Sequence, residues 1–316
     1  MSGARTNGDG VEIWRGSVSP REIDEMGHFN VQYYVALAAE GLAVFAAHLG
    51  LDHAFRADAR STLLVREHHI RFLREAKVGD ALTLTGGILD MGETDARLLF
   101  VLRHTLGGEP CASFNLVVSH ITAYEARPFA WPSAAQARAP GLTVALPSFA
   151  AARSVGIAPF ETSADAGKAK RLGLTRIASG AFGPNHCDVF GRMEAQHFIG
   201  RISGGVSTLG ETFQATIADR AEPKPKRLGI AALEYRLAYL AWPRAGDRFE
   251  IHSGVTAVTE RGRNLVHWML DPATGKPWGV AEAFLISFDL DARKMLRIAE
   301  PARAELSKDI VQGLRL

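Results

Sequence analysis

The stretch Asp24-Glu-Met-Gly-His-Phe-Asn-Val-Gln-Tyr-Tyr34 decides the fold, because an altered copy of it returns half a chain later. The second copy is Asp188-Val-Phe-Gly-Arg-Met-Glu-Ala-Gln-His-Phe198, which begins 164 positions after the first (188 − 24). The aspartate and the glycine keep their spacing, whereas the histidine and asparagine become arginine and glutamate. The first copy therefore has the side chains of a reactive site, and the second copy is altered.

Two further landmarks repeat at nearly the same distance. The turn Gly79-Asp80 returns as Gly246-Asp247, and Pro110 before an apolar run returns as Pro277, both 167 positions later (246 − 79 and 277 − 110). Three landmarks in one order, with one small insertion, predict that a whole domain has been duplicated.

The composition is that of a globular protein with two domains. Of 316 residues, 47% are hydrophobic and 22% are charged, and the formal net charge is only +2. This balance disfavours a nucleic-acid partner, and no apolar stretch reaches the length needed to span a membrane. Two cysteines, Cys111 and Cys187, are too few for a disulfide framework. We expect a cytoplasmic protein without metal.

Each repeat reads as a strand, a loop, a helix and four more strands. In the first repeat, apolar residues at helical spacing predict a helix over 31–49, with Asn30 as its N-cap and Gly50 as its end. Strands are predicted over 11–18, 64–73, 81–89, 95–105 and 111–124. In the second repeat, a helix is predicted over 193–210 and strands over 174–182, 230–240, 248–259, 264–270 and 279–290.

The segment between the repeats is rich in Ala, Pro and Ser and is predicted to be a linker that crosses the molecule. The predicted division is therefore an N-terminal domain over 1–125, a crossing linker over 126–171 and a C-terminal domain over 172–316. The last segment, from Pro301, is predicted to form a short surface helix.

The pattern Asp24-x-x-Gly27-His28-x-Asn30, together with the strand and turn over 70–80, resembles the hotdog-fold thioesterases typified by 4-hydroxybenzoyl-CoA thioesterase and short acyl-CoA thioesterases. The resemblance implies an α+β protein of two tandem hotdog domains, each an antiparallel β-sheet wrapped around a long central helix. It also implies active sites between units, an acyl-CoA substrate and no cofactor other than the coenzyme A of that substrate. Two such chains could pair as a homodimer.

The resemblance assigns roles to the first copy of the motif. Asp24 is implied to be the base or nucleophile at the thioester carbonyl. The backbone amides of Asn30 and Val31, at the start of the helix, could hold the developing oxyanion. Gly27 permits the turn, and His28 could orient Asp24, donate to the substrate or support the loop. The Asn30 side chain could position a water or only cap the helix.

Further residues are secondary candidates. Glu40, in the helix, could line the site or be structural. In the second copy, Arg192 and Glu194 are expected to form an ion pair, and Asp188 is either a second catalytic residue or a relic. Cations that could bind the phosphates of coenzyme A are Arg66, Arg71, Arg74, Lys226 and Arg227.

Two other functions remain open from the residues. One is a hotdog dehydratase or hydratase that acts on a 3-hydroxyacyl thioester, although the Asp/His signature of those enzymes is not found. The other is an acyl-thioester binding protein without catalysis, which the altered second motif favours for one half. The fold alone does not decide between them, because hotdog units host several chemistries.

Overall fold

The protein, seen in a computed structural model that describes residues 10–220 and 226–316, divides into two compact units. The first unit runs to Ala151 and also contains Cys187–Gln196, and the second consists of Ala152–His186 and His197–Leu316. The second copy of the motif therefore belongs to the first unit. These units follow contacts in space, so the predicted division at 125 and 171 stays a prediction.

The first unit contains a five-stranded antiparallel sheet with the order β1-β3-β4-β5-β2. Its strands are β1 (Val11–Ser17), β2 (Ser61–Phe72), β3 (Ala81–Met91), β4 (Asp95–His104) and β5 (Pro110–Thr122). Helix α1 (Val31–His48) lies against β1 and β3. Gly41 permits the close approach, because a Cβ there would lie 2.6 Å from Leu84 Cδ2.

The second unit repeats the sheet with the order β6-β8-β9-β10-β7. Its strands are β6 (Thr175–Ala181), β7 (Leu228–Tyr239), β8 (Arg248–Val258), β9 (Arg263–Leu270) and β10 (Pro277–Asp289), with the two-residue β11 (Lys294–Met295) beside β10. The first strands of the two units, β1 and β6, begin 164 positions apart. The strands β2, β3 and β5 begin 167 positions before their counterparts β7, β8 and β10. All ten predicted strands are present, with their ends shifted by at most three residues.

Glycines with positive φ mark the same turns in both repeats. The pairs are Gly27 and Gly191, Gly79 and Gly246, and Gly108 and Gly275, with φ between 72° and 96°. The pairs have the same separations of 164, 167 and 167 positions. Because only glycine adopts this conformation without strain, the glycine positions in the sequence specify the turns that define the repeat.

The helices of the two units differ. The single helix predicted over 193–210 is wrong, because the second unit has α4 (Gln196–Gly205) and α5 (Ser207–Arg220), with a break at Val206. A Cβ at Gly205 would lie 2.4 Å from the carbonyl oxygen of Ile177, so the chain approaches β6 too closely there for a larger residue. A tail helix, α6 (Glu300–Leu306), packs against α5 through Ala302 and Leu306 and is thus only partly a surface helix.

The connecting segment is anchored along its length. It contains the short helices α2 (Ser133–Arg138) and α3 (Ala166–Arg171). In the first unit Asn115 Nδ2 donates to the carbonyl of Ala150 at 2.9 Å, and in the second unit the Glu234 carboxylate accepts from the N–H groups of Arg153 and Ser154 at 2.9 and 2.8 Å. Among the described helices, none is long and apolar enough to cross a membrane.

Candidate functional site

The Asp24 loop, defined as residues 24–30, is closed by the aspartate itself. Asp24 Oδ1 accepts from the backbone N–H groups of Met26 and His28, both at 2.9 Å. The backbone adds two bonds, from Asp24 N to His28 O at 2.9 Å and from Gly27 N to Asp24 O at 3.0 Å. One carboxylate oxygen therefore holds the turn before α1.

The Asp188 loop, defined as residues 188–194, repeats this network bond for bond. Asp188 Oδ1 accepts from the N–H groups of Phe190 and Arg192, both at 2.9 Å. Asp188 N donates to Arg192 O at 2.7 Å, and Gly191 N donates to Asp188 O at 2.9 Å. The shared network explains why aspartate and glycine keep their spacing in both copies, whatever chemistry either loop performs.

The two loops differ in the contacts of the second carboxylate oxygen, Oδ2 of the aspartate. Asp188 Oδ2 accepts from Arg192 Nε at 3.2 Å, in an ion pair whose arginine side chain is 5% exposed. Asp24 Oδ2 accepts no hydrogen bond from any residue that the structure describes, and the Asp24 side chain is partly exposed. Asp24 thus has an oxygen available to a substrate or a water, whereas both oxygens of Asp188 are occupied.

His28 is turned toward a residue that the sequence did not single out. Its Nε2 lies 3.3 Å from Glu75 Oε1, and its side chain is 13% exposed. The position equivalent to Glu75 in the second repeat is Trp242 (75 + 167). The histidine and its carboxylate partner are thus both replaced in the second copy, and that joint change is the sequence signal that could have identified Glu75.

Aromatic side chains surround the start of α1. Phe29 contacts Tyr34 with ring centroids 4.6 Å apart, and Tyr34 meets the edge of Phe72 at 5.1 Å. Burial raises the pKa of Tyr34, so its phenol stays protonated. This apolar cluster fixes the loop against β2.

The first turn of α1 supplies one backbone donor rather than two. Asn30 caps the helix as predicted, with its side-chain oxygen accepting from Gln32 N at 2.9 Å. Its own N–H donates to the carbonyl of Glu22 at 2.8 Å and is therefore not available as an oxyanion donor, which corrects the prediction for Asn30. The N–H of Val31 donates to no acceptor in the described ranges. Of the two backbone amides, only that of Val31 is therefore available to an oxyanion.

The predicted ion pair between Arg192 and Glu194 is wrong. Arg192 pairs with Asp188 and stacks over the Phe190 ring, with its Cζ 4.8 Å from the ring centroid. Glu194 instead accepts from Gln196 Nε2 at 2.9 Å. Burial, and then the Asp188 carboxylate, raise the pKa of Glu194. Phe190 is itself buried against Ala59 and Ala123 of the first unit.

Glu40 forms no hydrogen bond with either loop within the described part of the chain; its partner is a tryptophan of β1. Glu40 is on the exposed face of α1, where it accepts from Trp14 Nε1 at 2.9 Å. Among the described residues, no group of three or more His, Cys, Asp or Glu side chains is arranged to hold a metal ion.

The candidate phosphate-binding side chains that have contacts in this structure each contact a different residue. Arg66 Nε lies 3.4 Å from Ser119 Oγ, and burial lowers its pKa. Arg71 is buried and donates to the carbonyl of Ala151 at 2.6 Å, so it holds the connecting segment. The exposed Arg74 pairs with Glu109 at 3.1 Å. In the second unit Lys226 is exposed, and Arg227 pairs with Asp291 at 2.7 Å.

Comparisons with known proteins match most of the chain. The family model of the Thioesterase-like superfamily matches residues 18–139 and 182–314, one segment in each repeat. A search of curated protein sequences found no match.

Solved structures share the architecture at low identity. A 12:0-ACP thioesterase from Umbellularia californica is 12% identical, with 86% of this chain and 92% of that chain covered and a TM-score of 0.63. An acyl-ACP thioesterase from Bacteroides thetaiotaomicron is 11% identical, with 86% and 96% covered and a TM-score of 0.60. These two likenesses establish a shared fold along nearly the whole length of all three chains.

Proposed function

The chain belongs to the thioesterase-like superfamily, and from this premise we propose that it hydrolyses an acyl-CoA to a free acid and coenzyme A, with Asp24 as the base or nucleophile. The predicted membership in a tandem hotdog thioesterase family is confirmed, as is the class of enzyme, a thioester hydrolase. The substrate and the role of Asp24 are the new parts of this proposal.

The free oxygen of Asp24 is the single observation that carries the proposal. Thioester hydrolysis requires a base that removes a proton from water, or a nucleophile that attacks the carbonyl carbon. Asp24 Oδ2 is open while Oδ1 is fixed by two backbone N–H groups at 2.9 Å, so the carboxylate is both oriented and available. The Asp188 carboxylate lacks this property because Arg192 occupies it.

The start of α1 supports the same chemistry. A tetrahedral intermediate places negative charge on the former carbonyl oxygen, and a free backbone N–H at a helix start can donate to it. The Val31 N–H has that character, and the partial positive charge of the helix start favours an anion. Gly27, at φ +80° with no atom within 4 Å of a Cβ position, leaves room beside the loop for a substrate.

The proposal extends to the parts of the function that rest on resemblance. We expect the sheet of the first unit to curl around α1 in the hotdog manner. Arg66, Arg74, Lys226 and Arg227 are candidates for the phosphates of coenzyme A. The protein is expected in the cytoplasm, without a separate cofactor and with a possible second chain as a homodimer.

A panel of thioesters tests the proposal. The purified protein should release free thiol from one or more acyl-CoAs, detected with a thiol reagent, across short aliphatic, long aliphatic and aromatic acyl groups. The same acyl groups on an acyl carrier protein form the second arm. Turnover of the carrier-protein thioesters alone would contradict the proposed substrate. Water addition to an enoyl-CoA, followed by absorbance and without thiol release, would support the dehydratase or hydratase instead.

A further inference from the structure

The two sheets carry different side chains on the faces that pack against their helices. In the first unit Phe100 meets Phe45 of α1 at 5.6 Å, and its cross-strand partner is Phe114. The equivalent pair in the second unit, 167 positions later, is His267 opposite Ala281. The neighbouring Leu116 becomes Ala283. Bulky apolar groups of one interior are thus replaced by an imidazole and two methyl groups in the other.

Polar groups take the remaining inward positions of the second unit. His267 Nδ1 lies 2.7 Å from Ser253 Oγ, and both side chains are buried. The ring of Tyr235 stacks with the imidazole at 6.5 Å between centroids. The first-unit residues at 86 and 68 are glycine and histidine, so the serine and the tyrosine are particular to this interior.

Arg263 places a guanidinium in the same interior. The residue is 1% exposed, its Cζ lies 3.9 Å from the centroid of the Phe213 ring, and its Nη1 lies 3.5 Å from the carbonyl of Leu209 in α5. Its Nη2 finds no hydrogen-bond partner among the described residues. The equivalent position in the first unit is Ala96. Burial lowers the pKa of Arg263 to about 10, which still leaves it charged near neutral pH.

A second buried arginine of this unit is better supplied with acceptors, although its Nε also has no hydrogen-bond partner among the described residues. Arg236 is 4% exposed, and its Nη1 donates to the carbonyls of Gly156 and Ala158 at 2.8 and 2.9 Å. Among the described residues, Arg263 has one long contact to a carbonyl and the face of an aromatic ring. A buried cation without a counter-charge is costly, so such a group is normally paired.

We propose that the interior of the second unit, between its sheet and α5, binds a carboxylate group through Arg263. A planar carboxylate matches the guanidinium and supplies a counter-charge that Arg263 does not receive from any residue that the structure describes. His267 Nε2 is buried and without a partner among the residues described. In the tautomer in which the Ser253 hydroxyl donates to Nδ1, the proton of the imidazole lies on Nε2, and the proposal assigns that N–H as a second donor to the carboxylate. The methyl groups of Ala281 and Ala283 line the sheet between Tyr235 and these donors.

This binding site is independent of the proposed thioesterase chemistry. It uses residues of the second unit alone, and Asp24 plays no part in it. The ligand class is a small organic acid whose carboxylate enters a closed, partly aromatic interior. A protein with no thioesterase activity could still bind it, and a thioesterase could lack it.

Thermal unfolding with and without defined anions tests the site. The probes are hexanoate, hexanedioate and inorganic phosphate, each titrated against the full-length protein at pH 7. We expect at least one of the two carboxylates to raise Tm by about 3 °C or more at saturation. The Arg263→Met variant should lose this rise, and the matched Arg236→Met variant, which removes a buried arginine that donates to two backbone carbonyls, should keep it.

A second variant covers the case in which Arg263→Met does not fold. Ala283→Leu restores the first-unit residue and adds a bulky side chain to the strand position between Tyr235 and Leu265, so it should also abolish the carboxylate response. The proposal is overturned if neither carboxylate raises Tm, if phosphate alone does so, or if a folded Arg263→Met or Ala283→Leu protein responds like the wild type.

Discussion

The Asp24 loop and the Asp188 loop share a backbone and differ in one hydrogen bond of a side chain. Both belong to the first unit, and both close with the same two N–H bonds to Oδ1 at 2.9 Å. In the first loop His28 turns to Glu75 and leaves Asp24 Oδ2 open. In the second, Arg192 folds back onto Asp188 Oδ2.

This difference shows that the Asp-x-x-Gly spacing indicates a loop conformation and does not by itself indicate a catalytic residue. The aspartate that closes the turn is needed in both copies, so its presence in the second copy says nothing about activity there. The residue four positions after the aspartate decides whether the free oxygen is available. Because the domain is duplicated, Asp24 Oδ2 can remain open in one copy while Asp188 Oδ2 forms an ion pair in the other.

The largest expected effect is on catalysis by Asp24. Asp24→Asn keeps an oxygen for the two backbone N–H groups but removes the basic and nucleophilic oxygen. We expect kcat/KM for acyl-CoA hydrolysis to fall by about 10²–10⁴-fold, the range of a lost general base. Tm should stay close to the wild type, which shows that the loss is chemical. Retention of more than a tenth of the activity would contradict the assignment.

The second effect follows from copying the second loop into the first. His28→Arg should place a guanidinium on Asp24 Oδ2, as Arg192 does on Asp188, and lower kcat/KM by about 10-fold or more because a paired carboxylate is a weaker base. His28→Gln is the control, since it also replaces the imidazole beside Glu75 but brings no charge. An equal loss in both variants would mean that the ion pair is not the cause.

The third effect is on stability rather than activity. Asp188→Asn leaves the 4% exposed Arg192 without its charged partner. A hydrogen bond to a charged group contributes about 1.5–3 kcal/mol, and we expect the free energy of unfolding to fall by that amount in urea titrations. If Asp188→Asn and Asp24→Asn lowered stability equally, the contrast between the loops would be lost.

A smaller effect is expected at the turn itself. Gly27 has φ +80° and open space around its Cβ position, so Gly27→Ala meets no clash and incurs only the conformational strain. That strain is about 1–2 kcal/mol for a left-handed residue. Chemical denaturation measures it, with Gly141→Ala as the control, because Gly141 also has open space and is not among the positive-φ residues. An unchanged stability would show that the loop does not need its left-handed glycine.

The smallest effect is a pH dependence in the second loop. The pKa of Glu194 is raised by burial and by Asp188, so the folded protein keeps this proton at pH values where the unfolded chain, with a pKa near 4.5, has lost it. Stability therefore falls as pH rises from the unfolded pKa through the folded one. Glu194→Gln removes this term, so its stability relative to the wild type should increase from pH 4 to pH 7 in thermal melts. A constant difference would contradict the assignment.

The strands and the first helix could be predicted because local chemistry fixes them. Asn30 caps α1 and Gly50, at φ +83°, ends it, as the residue types require. The break at Val206 was missed because its cause is tertiary. Gly205 lies against the Ile177 carbonyl of a strand distant in sequence, although the run Ser203-Gly204-Gly205 is itself poor in helix formers.

The site could be predicted only to the level of the motif. The spacing located Asp24 and the helix start, but it could not show that the Asn30 N–H donates to Glu22 or that His28 faces Glu75, 47 positions away (75 − 28). Nor could it show that Arg192 pairs with Asp188 rather than Glu194. Each of these outcomes depends on which side chain the folded backbone brings within reach.

The most direct test of the central claim is the ratio of kcat/KM for the two aspartate variants in one thiol-release assay. Asp24→Asn and Asp188→Asn are measured on the same acyl-CoA, at matched concentrations of folded protein. We predict that the Asp188→Asn protein remains within about threefold of the wild type and exceeds the Asp24→Asn protein by about 100-fold or more. A ratio near one, or a larger loss in Asp188→Asn, would contradict the claim that only the first loop is reactive.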